Sequence, residues 1–522
     1  MGIRSTRAGL SRPALLGSLL LVAAFGGGCS LGNISVDACT SDASCQAAFG
    51  LGSACQEGWC SEPASCQTGH DCRKRFGGGA CVGGACLDRL PDPSEAGSTA
   101  SCPAELREPT SSGALVGPDA PLVVGAMYAF DDPFDAAQGK AARLAVREIN
   151  TAGGLNDGRK LMMVACDVGG PGATADDTTR EQLNQVSLDF LGGTLGVPAV
   201  VGPFTSSDAL AAITEVLDKD YPTLLVSPSA TSPLLSDQPD RLNANDPYGL
   251  FWRTCASDEL QGKVLAEHVV PPSSSVAVIY AVDAYGQGLS TVFQQNFGAP
   301  GSAQLFPYNT EADFPTIAGN VSSANPDGLL VIASAAADTV AAVTALAAEP
   351  TLATKPLYLT DGSKDKDTLL DPALPQAVKT MILGAHGTAA AAPSGQYYDT
   401  FKANLQQAFQ VNADDYGFMA NTYDAGYVVG YGVVYASYGT MAYDGLNVAD
   451  GLAHLSSGNA VQVGPTTWTA AKSGLTTGAR TIDINGTSGP LTFDATTGEA
   501  PGPIEVWSVT PDFQGFQQDS VY

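Results

Sequence analysis

Basic residues are scarce in this chain of 522 residues: 25 Lys and Arg stand against 53 Asp and Glu, a net charge of −28 at pH 7 and an isoelectric point near 4.2. Binding a polyanion requires a basic patch, so no nucleic-acid partner is expected. Histidine is scarcer still, with His70, His268, His386 and His454 each isolated in sequence. The chain lacks H-E-x-x-H, G-x-S-x-G and the Walker loop, and no Ser-His-Asp arrangement suggests itself. Gly430–Tyr435 (GYGVVY) imitates a nucleotide loop, but it stands inside an apolar helical stretch rather than after a strand. The expectation is a protein that is not an enzyme and needs no cofactor or metal. After residue 29 no continuous apolar run is long enough to span a bilayer.

What is present begins with a targeting segment, residues 1–29. Arg4, Arg7 and Arg12 flank and precede the apolar run Ala14–Phe25, which is too short to span and ends in Gly26-Gly27-Gly28-Cys29. A small residue before a Cys reads as a bacterial lipobox, with Cys29 the lipidated residue. Gly26 stands where a Leu is usual, so an ordinary cleaved signal is the alternative. Either way the protein is expected in the periplasm or cell envelope, anchored to the membrane through Cys29 in the first reading.

Eight cysteines then fall in a duplicated pattern, Cys39, Cys45, Cys55 and Cys60 followed by Cys66, Cys72, Cys81 and Cys86, with a Gly-rich piece before each third Cys. In an exported chain such spacing predicts disulfides, two within each unit, with three pairings open for each. No C-x2-C spacing supports zinc. The module, residues 30–90, is too small to build much of a core without such staples. It is expected to act as a spacer, with a protein-binding module as the alternative. Cys102, Cys166 and Cys255 are left over, so at most one pair forms among them. Residues 91–120, rich in Pro, Ser and Gly, read as a linker.

From residue 121 strands alternate with helices. Leu122–Met127 and Leu161–Ala165 read as strands, and Ala136–Asn150 as a helix with Ala142, Ala145, Val146 and Ile149 on one face. Val200–Thr231 (VVGPFTSSDALAAITEVLDKDYPTLLVSPSAT) reads as strand, loop, helix, strand, loop. Both loops are rich in small hydroxyl residues. In an open α/β sheet, ligands bind beyond the carboxyl ends of the strands. Helix N-termini and hydroxyls there suit a carboxylate, although Ser207 and Thr231 also read as simple helix caps. Further strands are predicted over 275–281, 328–333, 356–360, 380–385, 491–494 and 504–509. Helices are predicted over 287–297, 338–348, 394–409 and 422–436.

The motifs VxGPxxSS and PxLxSPSAT, with EINTAGGL, GRKL and LFWRTCASDELQG in order, resemble the periplasmic leucine/isoleucine/valine-binding protein family, the solute receptors of ABC transporters. The resemblance covers about 121–520. It implies two doubly wound, Rossmann-like α/β lobes joined by three crossings, the type I periplasmic binding fold. Lobe 1 would comprise 121–254 and 385–490, and lobe 2 would comprise 255–384 and 491–522. It further implies an amino-acid ligand between the lobes and an ABC permease as partner. Ser206 and Thr231 would meet the ligand's carboxylate, and the Ser229 carbonyl and Asp361 its amino group. Tyr285 would cover it. Phe134 replaces the family's usual Tyr, Ser334-Ala335-Ala336 replaces an aromatic, and Asp361 is shorter than the family's Glu, which puts a branched-chain ligand in doubt. The cysteine module, foreign to the transport receptors, keeps a second reading open: a non-transport sensor or surface-interaction lipoprotein on the same fold.

Overall fold

The computed structural model describes residues 39–110, 113–170, 177–391, 394–440 and 442–522. The expected targeting segment and Cys29 lie outside the described residues. Among the described residues no helix is long and apolar enough to cross a membrane.

Two sheets organise the chain. The first contains β1 (Leu122–Tyr128), β2 (Leu161–Asp167), β3 (Ala199–Val201), β4 (Leu224–Ser227) and β5 (Phe251–Arg253). Its order is β2-β1-β3-β4-β5, all parallel. The second contains β6 (Ser275–Ala281), β7 (Ser302–Tyr308), β8 (Gly328–Ile332), β9 (Leu357–Leu359), β10 (His386–Ala390), β11 (Ile504–Val509) and β12 (Phe516–Val521). Its order is β7-β6-β8-β9-β10-β11-β12; the first five are parallel, β11 pairs antiparallel with β10, and β12 pairs antiparallel with β11. Buried strands such as β3 and β8 are apolar along their whole length because helices cover both faces. The first core gathers the Ala-rich face of the helix Pro133–Thr151 and the almost wholly buried helix Met419–Ala436. The second lies on the two faces of the other sheet.

Two expected boundaries shift. Residues 376–383 form a helix, and the strand follows at β10, hydrogen-bonded within the second sheet, so lobe 2 extends past residue 385. Its HGTAA sequence is weakly strand-like; Gly387 is required because a Cβ there would stand 2.1 Å from the Trp507 ring. Residues 491–494 are not a strand. Leu491, Phe493 and Ala500 pack in the lobe 1 core, so the last crossing falls just before β11. Strand β7 escapes sequence reading because Pro307 interrupts it, which an edge strand tolerates.

The two cysteine units repeat in structure: a helix (Asp42–Phe49, Gly69–Phe76) followed by a short hairpin. First pairs with third and second with fourth in each, as Cys39–Cys55, Cys45–Cys60, Cys66–Cys81 and Cys72–Cys86. The module does not stand free as a spacer. The helix Gly69–Phe76 packs backbone to backbone on lobe 1: a Cβ on Gly69 would lie 2.4 Å from the Leu195 carbonyl carbon. Arg73 donates to the Tyr443 carbonyl at 3.4 Å. The expected linker is also docked. Cys102 is bonded to Cys166 of β2, and Glu108 and Met163 exchange backbone hydrogen bonds at 3.0 and 2.9 Å. This segment covers the open edge that β2 would otherwise present to solvent. Cys255 remains a buried thiol.

Candidate functional site

A cavity of about 290 Å³ lies between the two lobes, at the carboxyl ends of both sheets' strands. On the lobe 1 side, Phe134 opens the helix Pro133–Thr151 and lines the cavity. The helix Ser206–Asp218 is capped by Thr205, whose Oγ1 accepts from the Asp208 N–H at 3.2 Å. Ser207, one of the expected caps, reaches across instead: its Oγ accepts from the Ala284 N–H of lobe 2 at 3.3 Å. Ser206 is buried on the wall, and its Oγ accepts from the Ser232 N–H at 3.1 Å. The Ser229 hydroxyl, also on the wall, donates to the Phe204 carbonyl at 2.9 Å.

On the lobe 2 side, Tyr285 and Asp361 line the cavity together. The Tyr285 hydroxyl donates to Asp361 Oδ1, and Gln261 Nε2 donates to the same oxygen at 2.7 Å. Burial raises the Asp361 carboxyl above its ordinary range, and the two donors oppose that. The Ser334 hydroxyl donates to Asp283, the cap of the helix Ala284–Asn296. Ser334, Ala335 and Ala336, all small, line the cavity on this side.

Thr231 is the one expected site residue that the structure does not bring to this wall. Its hydroxyl donates to Asp258 Oδ2 at 2.9 Å. Asp258 is fully buried, and its Oδ1 has no hydrogen-bond partner among the described residues. Burial, with Asp361 nearby, raises its carboxyl well above the usual range. Sequence reading missed Asp258 and Gln261. The signal was there: they stand three apart on the helix Asp258–Val264, hence on one face, directly after the first crossing.

Charge distinguishes the cavity further. Asp131, Asp132 and Asp135 line it from lobe 1, and Asp283, Asp361 and Asp365 from lobe 2. Asp135 is buried, and burial together with Asp132 pushes its carboxyl up to about 8. Arg180 is the one Lys, Arg or His on the wall among the described residues. Asp208 holds it with both oxygens, at 3.3 Å from Nε and more closely at Nη2.

A family model described as periplasmic binding protein matches residues 123–513. The two-lobed fold and the cavity between the lobes agree with that match, and the chain belongs to this family of extracytoplasmic solute-binding proteins, which are receptors rather than enzymes. Relatives that match part of the chain are named for leucine, isoleucine and valine. It is similar to Leu/Ile/Val-binding protein homolog 3 of Brucella melitensis, 32% identical over 194 residues, 36% of this chain and 45% of that protein. The chain thus spans about half or less of the length of the curated relatives it matches. Among solved structures, the leucine-binding protein LivK of Thermotoga maritima is 16% identical with a TM-score of 0.58, covering 77% of this chain and 98% of that one. LivJ of Streptococcus pneumoniae, solved in complex with isoleucine, is 18% identical with a TM-score of 0.56, at the same coverage of 77% and 98%. At those identities the likeness is one of fold.

Proposed function

We propose that this protein is a lipid-anchored receptor that closes on an amino acid between its lobes and delivers it to an ABC permease. The observation that carries this is Asp361, buried on one wall with Tyr285 and Gln261 as donors, facing hydroxyls on the other wall. A buried carboxylate of that kind suits a ligand ammonium. Opposite it, the Ser206 hydroxyl and the first N–H groups of the helix Ser206–Asp218 suit a carboxylate. Ser229 offers its backbone carbonyl to the ammonium, while Phe134 and Tyr285 supply apolar cover. Thr231 acts through Asp258 rather than on the ligand. Relatives named for leucine, isoleucine and valine support an amino-acid ligand. Cys29 after Gly28 supports the anchor, which places the protein at the membrane of the cell envelope.

A thermal-shift screen of amino acids tests the ligand, since a tight ligand raises the melting temperature by mass action. A screen in which no amino acid shifts it overturns the reading. Cys29→Ser is expected to release the protein into the soluble periplasmic fraction. Unchanged membrane association rules out the anchor. A sensor or surface-interaction role is the second reading. It draws on the docked cysteine module, which exposes Phe49 and Trp59 by 51% and 57%. A gene neighbourhood with permease and ATPase genes favours transport over it.

A further inference from the structure

The cavity's two walls carry the same sign of charge. Aspartates come from each lobe: Asp131 and Asp132 on one, with Asp135 beside them keeping its proton up to about pH 8, and Asp283, Asp361 and Asp365 on the other. The lobes already touch around them. Besides the Ser207–Ala284 bond, the Ser232 hydroxyl donates to the Ala284 carbonyl at 2.7 Å, and the Tyr416 hydroxyl donates to Asp367 at 2.6 Å. Arg180 does not balance this charge, because Asp208, a carboxylate outside the cavity lining, holds its guanidinium in a two-pronged pair. Behind the lobe 2 wall stands Asp258, whose fully buried Oδ1 has no partner among the described residues. Bringing like-charged walls together is opposed by repulsion. A ligand with two positive groups offsets that repulsion more fully than one with one positive and one negative group.

Four aromatics, Phe134, Phe204, Tyr285 and Phe418, share the lining with small and hydroxyl residues such as Ser206, Ser229 and Ala335. Aromatic faces beside carboxylates suit alkylammonium or guanidinium groups on a short apolar stem. The volume, about 290 Å³, stands at the small end of ligand cavities and suits a compact ligand.

From this we infer that the ligand carries two cationic nitrogens joined by a short apolar chain, one held by Asp361 and the other by the Asp131–Asp132 side of the cavity. The inference rests on the receptor reading above and narrows its ligand class. A basic amino acid and a short aliphatic diamine share this chemistry. The amino acid adds a carboxylate for Ser206 and the helix N-terminus.

The test is calorimetric titration and thermal shift of the whole mature chain with L-lysine, L-arginine, 1,4-diaminobutane, L-leucine, L-isoleucine and benzoate. A dicationic probe is expected to bind, with affinity falling as salt is raised. Asp132→Asn keeps the cap acceptor for the Asp135 N–H and removes the charge. It is expected to weaken that probe by about ten- to a hundred-fold. Lysine or arginine without the diamine identifies a basic amino acid; the diamine alone identifies an amine. Leucine, isoleucine or benzoate binding while every dication fails overturns the inference and leaves the receptor reading standing. An unchanged affinity in Asp132→Asn, in a variant that melts like the parent, also overturns it. If none of the six probes binds, both the inference and the amino-acid reading fall.

Discussion

Replacing Thr231 with valine removes one hydroxyl and almost no volume, and it separates two accounts of this residue. The family resemblance makes Thr231 a contact for the ligand carboxylate. The structure gives its hydroxyl to Asp258 at 2.9 Å. Asp258 Oδ1 already lacks a partner, so Thr231→Val leaves a fully buried carboxyl with no side-chain donor at either oxygen. Leaving a buried polar group unsatisfied costs about 1–3 kcal/mol. For a unit the size of one lobe, each kcal/mol moves the melting temperature by about 2–4 °C. Thr231→Val is therefore expected to melt about 2–12 °C below the parent, and Thr231→Ser, which keeps the donor, within a few degrees of it. Scanning calorimetry on the three proteins reads this directly. Ligand affinity, measured below the transition, is expected to change by less than about threefold, because Thr231 is not on the cavity wall. A valine variant that melts with the parent yet binds ten- to a hundred-fold more weakly refutes this reasoning and restores the direct contact.

Lys364 and Glu505 form a buried ion pair beside the crossings, with Gln518 donating to the second Glu505 oxygen at 2.6 Å. Lys364→Met strands the carboxylate and is expected to destabilise by about 3–5 kcal/mol, with Lys364→Met/Glu505→Leu recovering most of that in chemical denaturation. Asp135 keeps its proton up to a pH of about 8 in the folded state, against an ordinary 3.8. A raised acid pKa is neutral to stability below 3.8 and lowers it progressively from there to about 8. The advantage of Asp135→Asn over the parent is therefore expected to grow from near zero at pH 4 to a few kcal/mol at pH 8, and a pH-independent difference in melting temperature rules the linkage out. Gly69→Ala puts a methyl 2.4 Å from the Leu195 carbonyl carbon, although alanine itself favours a helix. Hydrogen exchange across 69–76 is expected to accelerate with all four module disulfides intact, and unchanged protection counts against the docking. Cys102→Ser with Cys166→Ser opens a link between residues 64 apart. Chain entropy for such a loop is worth about 4 kcal/mol, so a variant as stable as the parent excludes that contribution.

The sequence by itself determined most of the scaffold. Helix periodicity and strand-length apolar runs are local properties, so Pro133–Thr151, Ser275–Ala281 and Ile504–Val509 are legible at or near their true bounds. The duplicated cysteine spacing was enough to confine the module's bonds within each unit. The VxGPxxSS and PxLxSPSAT loops marked the strand ends that line the cavity.

The tertiary structure decided what depends on residues far apart in the chain. Cysteine pairing is one case, since Cys102 meets Cys166 only because the supposed linker closes the edge of β2. Strand β10 is another: its small residues carry little strand propensity and pair because Trp507 packs over Gly387. The site is the clearest. Which hydroxyl faces the ligand is fixed by competing donors and acceptors, and Asp258, at the start of a helix in the other lobe, takes the one from Thr231. The cavity's acidity likewise comes from six aspartates on three separate stretches of chain, of which the sequence singled out only Asp361. A net charge of −28 spread over the chain does not say where the carboxylates converge; only the folding of both sheets toward one cavity does.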